Sequence, residues 1–333
     1  MYKGKIFVTG GAGFIGNFVL KQLLQKGYEA RCLLRNTSNI RRIEGLNFER
    51  CMGDISDVVS LKEGMKGCIG VIHLAGLSNW KDITAPDMPR IVIEGSKNLL
   101  QVAKEMGNIK TVFVSSSTAI DGTDEIKILN ESSPLTLPNN KHFVYAHAKK
   151  EVEEYAINLA KEGQQVTIVN PTEVYGPYDY DKITCGNLLD FATTKTVLVP
   201  DGGTSIVYVE DVAQGIIAAF EKGKSGERYI LGSDNMKIEE LAKLTLDLLS
   251  LEKPIKKVGR GMLMNLAWIS KTFRINMGFE PEVIPYAVKY FFVDNAKATK
   301  ELGVTFRGAR EILEPTLKWM KEEGMFIPKN RKN

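Results

Sequence analysis

Cysteine and histidine are scarce: four of the first (Cys32, Cys51, Cys68, Cys185) and three of the second (His73, His142, His147) in 333 residues. None of the cysteines forms a CxxC pair and none of the histidines an HxxxH pair. That spacing argues against a zinc site and against a disulfide framework, and reduced thiols are the simpler expectation. An excess of either charge is missing as well. Lys plus Arg number 44 against 40 Asp plus Glu, a net charge of +4, which gives no support for a nucleic-acid binder. Long hydrophobic runs are absent too. The opening MYKGKIFVTG carries an apolar segment too short for a signal-peptide core, and Met262 to Ile269 falls far below the roughly 20 residues that span a bilayer. The expectation is a cytoplasmic protein with no integral membrane segment, contact with a membrane surface staying open. Repeats, low-complexity tracts and flexible linkers are likewise missing, and 44% hydrophobic with 25% charged residues excludes a disordered chain.

What is present is an alternation. Lys5–Val8, Glu29–Leu34, Gly70–Leu74, Thr111–Val114 and Gln165–Val169 are short β-branched runs that predict buried strands. Phe18–Lys26, Ile91–Met106 and Ala148–Glu162 space apolar residues three and four apart and predict helices between them. Strands apolar throughout, alternating with helices, imply an α/β fold: a doubly wound parallel sheet covered on both faces. After about Pro177 the rhythm loosens, with a strand at Ile206–Val209, a helix at Val212–Glu221 and a mostly helical stretch from Ile238. The expected organisation is a dinucleotide-binding domain over residues 1–177, with a returning segment around 204–232. A smaller, mostly helical substrate part would take 178–203 and 233–328. Met262–Phe292 is dense in Met, Trp, Phe and Tyr, and is either core of that part or an apolar pocket between the two.

Thr9-Gly10-Gly11-Ala12-Gly13-Phe14-Ile15-Gly16 lies directly between a strand and a helix. Gly10 permits the tight turn, Gly13 lets backbone approach a pyrophosphate, and Gly16 lets the helix pack on the sheet. Main-chain N–H groups through Phe14 and Ile15, with the helix dipole, then form an anion site. Three glycines alone are common; their place in a strand–loop–helix unit is what makes them specific. The second strand ends in Leu33-Leu34-Arg35-Asn36, without the carboxylate that would read an NAD ribose. Arg35 can pair with a 2′-phosphate, which favours NADP over NAD, although the same residue could be a solvated surface arginine. In Gly53-Asp54-Ile55, Asp54 could accept from the adenine amino group or simply form a turn.

Three further features line up. The small-residue turn Leu74-Ala75-Gly76 after His73 leaves room for the cofactor's ribose and nicotinamide. Ser115-Ser116-Ser117 closes the next strand. Tyr145 and Lys149 stand four apart at a helix start, hence on one helix face. A serine at a sheet's carboxyl edge beside such a pair makes an acid/base unit for hydride transfer. An ammonium at Lys149 would lower the phenol of Tyr145 from about 10 toward neutrality, and Ser117 would hold the substrate oxygen. The loop Leu77-Ser78-Asn79-Trp80 should help shape the substrate pocket through Ser78 and Trp80, with Trp80 equally well placed as a packed loop aromatic.

With TGGAGFIG, GDISD, VIHLAG, VFVSSSTAI, YAHAK, VNPTEVYGP and VYVEDVAQGI in order along nearly the full chain, the sequence resembles an extended short-chain dehydrogenase/reductase of the NAD-dependent epimerase/dehydratase superfamily. It is most similar there to the dihydroflavonol 4-reductase-like branch, including hopanoid-associated sugar epimerase-type members. The resemblance implies Ser117, Tyr145 and Lys149 as the catalytic triad, with the same tyrosine and lysine and also Ser115 against the cofactor. It places Pro171 and Val174 beside the nicotinamide. It also implies a homodimer through the helices at Ile91–Met106 and Ala148–Glu162, whose apolar residues could equally face the sheet. Two departures stand out. Val92 occupies the usual place of an asparagine, which puts in question a proton relay or helix kink built on that amide. Thr204-Ser205 stands where nucleotide-sugar enzymes commonly carry Arg-Asp, removing a ligand for a nucleotide diphosphate, although Arg260 or Arg274 could substitute. The expected activity is NADP-dependent reduction of a ketone or aldehyde, or oxidation of the alcohol, on a small, partly apolar molecule. The alternative is a nucleotide-sugar epimerase or dehydratase holding NAD tightly.

Overall fold

The computed structural model describes residues 3–77, 82, 85, 87–273 and 281–326. Seven parallel strands form the central sheet: β1 (Lys5–Thr9), β2 (Glu29–Leu34), β3 (Glu49–Met52), β4 (Gly70–His73), β5 (Lys110–Val114), β6 (Val166–Pro171) and, later in the chain, β10 (Arg228–Leu231). Their order is β10-β6-β5-β4-β1-β2-β3. The chain therefore moves outward from β1 through β2 and β3, then returns to the other side of β1 at β4. That reversal opens a crevice at the carboxyl ends of β1 and β4, where open α/β sheets take their ligands.

The strands build the core by their period of two. On β1, Ile6 and Val8 pack on one face with α1 (Phe14–Gln25) and α6 (Val209–Lys222), while Phe7 enters the opposite face. There it meets Leu61 and Met65 of α2 (Val58–Met65) and Leu99 and Val102 of α3 (Gly95–Glu105). Each such fully buried side chain contributes about 1.5–3 kcal/mol of transfer free energy. Further along this face, Val152, Ala156 and Leu159 of α4 (Val144–Lys161) pack on Phe113 and Ile168 together with Leu100 of α3. The apolar residues of α3 and α4 thus face the sheet and each other, and the ion pairs Lys97–Glu151 and Lys104–Glu162 join the two helices further out.

A second assembly covers the carboxyl edge. β7 (Glu173–Tyr175) pairs in parallel with β9 (Gly203–Tyr208), which also pairs antiparallel with β11 (Asn235–Lys237) and parallel with β13 (Tyr290–Phe291). β8 (Val197–Pro200) pairs with β12 (Ile255–Val258). α5 (Cys185–Thr193), α7 (Ile238–Leu248) and α10 (Ala309–Glu322) close around Tyr175, Leu188, Leu241 and Trp319. α8 (Arg260–Phe273) and the short α9 (Ile284–Ala287) complete this part.

The C-terminal stretch is therefore helical with three interposed strands, β11, β12 and β13. Each has only two to four residues, too few for alternation to register in the sequence. The aromatic-rich stretch divides as well. Tyr286 and Phe291 turn inward, whereas Met262, Trp268 and Phe273 of α8 are exposed rather than core. α1 and α6 begin earlier than their apolar spacing suggests, because glycine and acidic residues precede the first regular repeats.

Candidate active site

α1 begins at Gly13, which caps it without a side chain, and its first turn carries no acidic residue. The first-turn N–H groups are thereby left for an outside acceptor. Gly10 adopts φ +74°, and a Cβ there would sit 2.6 Å from the Ala75 nitrogen. A Cβ on Gly16 would come within 2.1 Å of the Gly10 carbonyl oxygen, so the helix can approach the loop only at a glycine. A Cβ on Gly13 would meet little but that same oxygen at 3.1 Å, and its other side opens into a cavity of 1320 Å³. The cradle fits a dinucleotide pyrophosphate.

That cavity collects the predicted residues. Gly10, Gly13, Phe14, Ile15, Gly16, Arg35, Asp54, Ile55, Leu74, Ala75, Gly76 and Ser115 line it. Ser117, Tyr145, Lys149, Pro171 and Val174 line it as well. Ser78, Trp80 and Arg274 lie outside the described residues, and Arg260 pairs with Asp124 on the surface. At the far end, Arg35 is exposed, makes no hydrogen bond or ion pair through its guanidinium among the described residues, and stands near Asp54 with Arg90. Thr37 and Ser38 border it. The turn role of Asp54 is realised: its Oδ1 accepts from the Ser56 amide (2.9 Å) and hydroxyl (2.8 Å), which holds the carboxyl below its usual range.

Beneath the crevice, His73 is completely buried between the Thr9 hydroxyl (2.6 Å) and the Ser96 hydroxyl (3.0 Å). Burial, with the Lys149 charge, pulls its pKa down to about 3, so it is a neutral strut between β1, β4 and α3. Ser117 opens a short 3₁₀ turn (Ser117–Ala119) after β5, and Ser116 caps it by accepting from the Thr118 amide. Tyr145 and Lys149 occupy the first two turns of α4. Lys149 Nζ donates to the Val114 carbonyl (3.0 Å) and lies 5.9 Å from the centre of the Tyr145 ring. Burial lowers Lys149 to about 8, against the opposing pull of Glu153 one turn on. Glu153, itself buried, accepts from Asn170 (2.5 Å) and Arg228 (3.1 Å).

The expected acidification of Tyr145 is not what this geometry produces. Burial raises its phenol above the ordinary value, and the Lys149 ammonium, bonded to the Val114 carbonyl, does not offset that rise. The tyrosine therefore holds its proton. A second expectation also changes. The helix entrance keeps a five-residue π turn (Arg90–Glu94) with Val92 buried inside it, packed against Met88 and Ala148. The irregularity does not depend on an amide side chain.

Of the opposite wall, sequence reasoning marked Thr204 and the aromatic-rich stretch that supplies Ile284, Tyr286 and Phe291, and missed Glu173, Asn187 and Asp190. Glu173, Asn187, Asp190 and Thr204 line the cavity beside Phe191, Ile284, Tyr286 and Phe291. Tyr175 Oη (2.7 Å) and Asn187 Nδ2 (2.8 Å) both donate to Glu173 Oε1. The one available signal was the carboxylate within VNPTEVYGP, an ionisable side chain in an otherwise apolar strand segment. The cavity's cations, Arg35, Arg42, Arg90 and Lys149, all lie on segments that precede β6; Arg42 is engaged by Asp181 (2.7 Å) and the Tyr178 carbonyl (2.8 Å). From Thr172 onward, the described lining contains no Lys or Arg.

The family model described as NAD dependent epimerase/dehydratase family matches residues 6–232. A Synechocystis sp. protein provisionally named dihydroflavonol 4-reductase is 30% identical over 330 residues, covering 96% of this chain and 95% of its own. Sterol demethylase protein B of Methylococcus capsulatus is 26% identical over 328 residues, covering 96% and 98%. Among solved structures, that of gox2253 superposes with a TM-score of 0.81 at 30% identity, covering 96% of this chain and 98% of that one.

Proposed function

Because the chain belongs to the NAD dependent epimerase/dehydratase family, enzymes that work through a nicotinamide dinucleotide, we propose that it reduces a ketone or aldehyde on a small, uncharged, partly apolar molecule, with NADPH as the reductant. The observation that carries this reading is the wall opposite the glycine loop. Its described residues offer carboxylates, hydroxyls and apolar rings but no cation, whereas a nucleotide diphosphate needs charge-assisted donors for its phosphates. Thr204, in the place of the usual arginine, is one of those residues. The reductase-type name of the Synechocystis relative supports the same choice. Arg35, with the Thr37 and Ser38 hydroxyls beside it, supports NADP, since a guanidinium and two short donors suit a 2′-phosphate.

When bound, a reduced nicotinamide supplies hydride to the carbonyl carbon. Ser117 donates a hydrogen bond to the carbonyl oxygen and fixes its direction. Tyr145, which burial keeps protonated, delivers its proton to that oxygen. Lys149, as ammonium, stabilises the phenolate left behind and remains anchored on the Val114 carbonyl. Pro171 and Val174 form an apolar wall that keeps water from the reacting carbon. By family analogy the active form is a cytoplasmic homodimer joined through α3 and α4.

Tyr145→Phe tests this directly. Carbonyl reduction followed by NADPH absorbance should fall about 10²–10⁴-fold, the usual weight of a general acid. Dinucleotide affinity should stay within a few-fold. Full turnover by the variant would overturn the mechanism. The rival reading, an epimerase or dehydratase, requires purified protein that carries NAD and turns over a nucleotide sugar without added NADPH.

A further inference from the structure

Glu173 is an unusual residue to find in this wall. It opens β7, two residues after Pro171, and lines the cavity among Phe191, Ile284, Tyr286 and Phe291. A carboxylate in such surroundings is costly unless it is bonded, and two donors are arranged around it. Tyr175, completely buried, donates to Oε1 at 2.7 Å, and Asn187 donates to the same oxygen at 2.8 Å. Asn187 also bonds the Tyr175 oxygen at 2.7 Å, which closes a triangle and fixes the orientation of all three groups. Thr204 borders the same cavity, its hydroxyl donating to the Ser205 carbonyl at 3.3 Å. An ionised carboxylate offers about four acceptor positions, so the Tyr175 and Asn187 donors leave capacity on a group that faces the cavity. Burial raises the Glu173 carboxyl above its ordinary value, and its donors offset only part of that rise.

No Lys or Arg among the described lining residues of this wall neutralises it. An anionic substrate would face an unscreened like charge, and a wholly apolar one would leave the acceptor unpaired and dry. A substrate with a hydroxyl placed against Glu173 satisfies it. We propose that Glu173, fixed by Tyr175 and Asn187, is the specificity-determining residue of this enzyme: it accepts a hydrogen bond from a hydroxyl of a neutral, largely apolar ketone. The substrate class is then a neutral ketone or aldehyde that carries a hydroxyl group. This rests on the carbonyl-reductase reading for its chemistry but is separable from it by binding.

The probes are tetralone, a hydroxytetralone and a tetralone carboxylic acid, assayed with wild-type enzyme and NADPH and, in parallel, by calorimetric titration. Wild type should prefer the hydroxylated ketone over tetralone by about tenfold or more in kcat/KM, and reject the acid. In Glu173→Gln the preference should shrink to within about threefold through a higher KM for the hydroxylated ketone alone, kcat being unchanged, and the acid should gain. Tyr175→Phe, which removes an observed donor to the carboxylate without touching its charge, should weaken the preference in the same direction. Wild type with no hydroxyl preference overturns the assignment whatever the variants do. Equal loss on both neutral ketones in Glu173→Gln also overturns it, marking a structural carboxylate. Hydroxyl-selective binding that Glu173→Gln abolishes, without turnover of any ketone, upholds Glu173 and removes the reductase reading. Turnover without selectivity does the reverse.

Discussion

Two side chains on one helix face carry opposite consequences of burial. Dehydration makes Tyr145 harder to ionise and Lys149 easier to discharge, so each is shifted toward its neutral form. With Lys149 drawn down to about 8, the ammonium is present below that pH and lost above it. The phenolate created by proton donation then loses its nearest positive charge. For carbonyl reduction, kcat/KM of the free enzyme should be level near pH 7 and fall above about pH 8, and Lys149→Met should lack that alkaline limb at a much lower plateau. A pH–rate profile of both proteins decides it, and a wild-type plateau extending to pH 10 would refute the account. The triad's identity was legible because its spacing is local: a four-residue step on a helix and a serine at a strand end. Its ionisation was not, because desolvation depends on what closes over α4, including Tyr286, more than a hundred residues away.

Among the elements, the entrance to α3 shows how backbone geometry can outlast a side chain usually linked to it. The π turn Arg90–Glu94 persists with valine at its centre, held by Met88 and Ala148. Val92→Asn should therefore leave the turn and the turnover rate within about twofold. It should destabilise the fold by about 1–3 kcal/mol in urea unfolding, since an amide there would be buried among apolar neighbours without a partner. A gain in stability or a marked gain in rate would restore the amide's importance. The strands of the central sheet were readable because being buried on both faces demands continuous apolar runs. β3, with its sequence ERCM, escaped that logic as an exposed edge, and β11 and β13 are too short to express any period. α8 was read only in part for a different reason: Leu263 and Ala267 are core, but composition counts Met262, Trp268 and Phe273 without saying which way they point.

At the scale of the molecule, the dinucleotide cradle joins the sheet to the second assembly across one cavity, so ligand binding should raise global stability by mass action. NADPH at a hundredfold excess over its Kd should add about 2.7 kcal/mol. NADH at the same concentration should raise Tm less, and Arg35→Ala should abolish the difference, as read by calorimetry. An equal response of wild type to both dinucleotides would remove the 2′-phosphate role of Arg35. What sequence could not convey at this scale is how β13 reaches β9: Tyr290 pairs with Gly203 and also bridges to Thr123, contacts spanning much of the chain. These pairings carry a cost in time. While the polypeptide emerges from the ribosome, the glycine loop and all three triad members are available once α4 has been made, yet the wall bearing Tyr286 and Phe291 cannot dock until the last strand is synthesised. The residues that would grip the coenzyme are thus made long before those that would choose what is reduced.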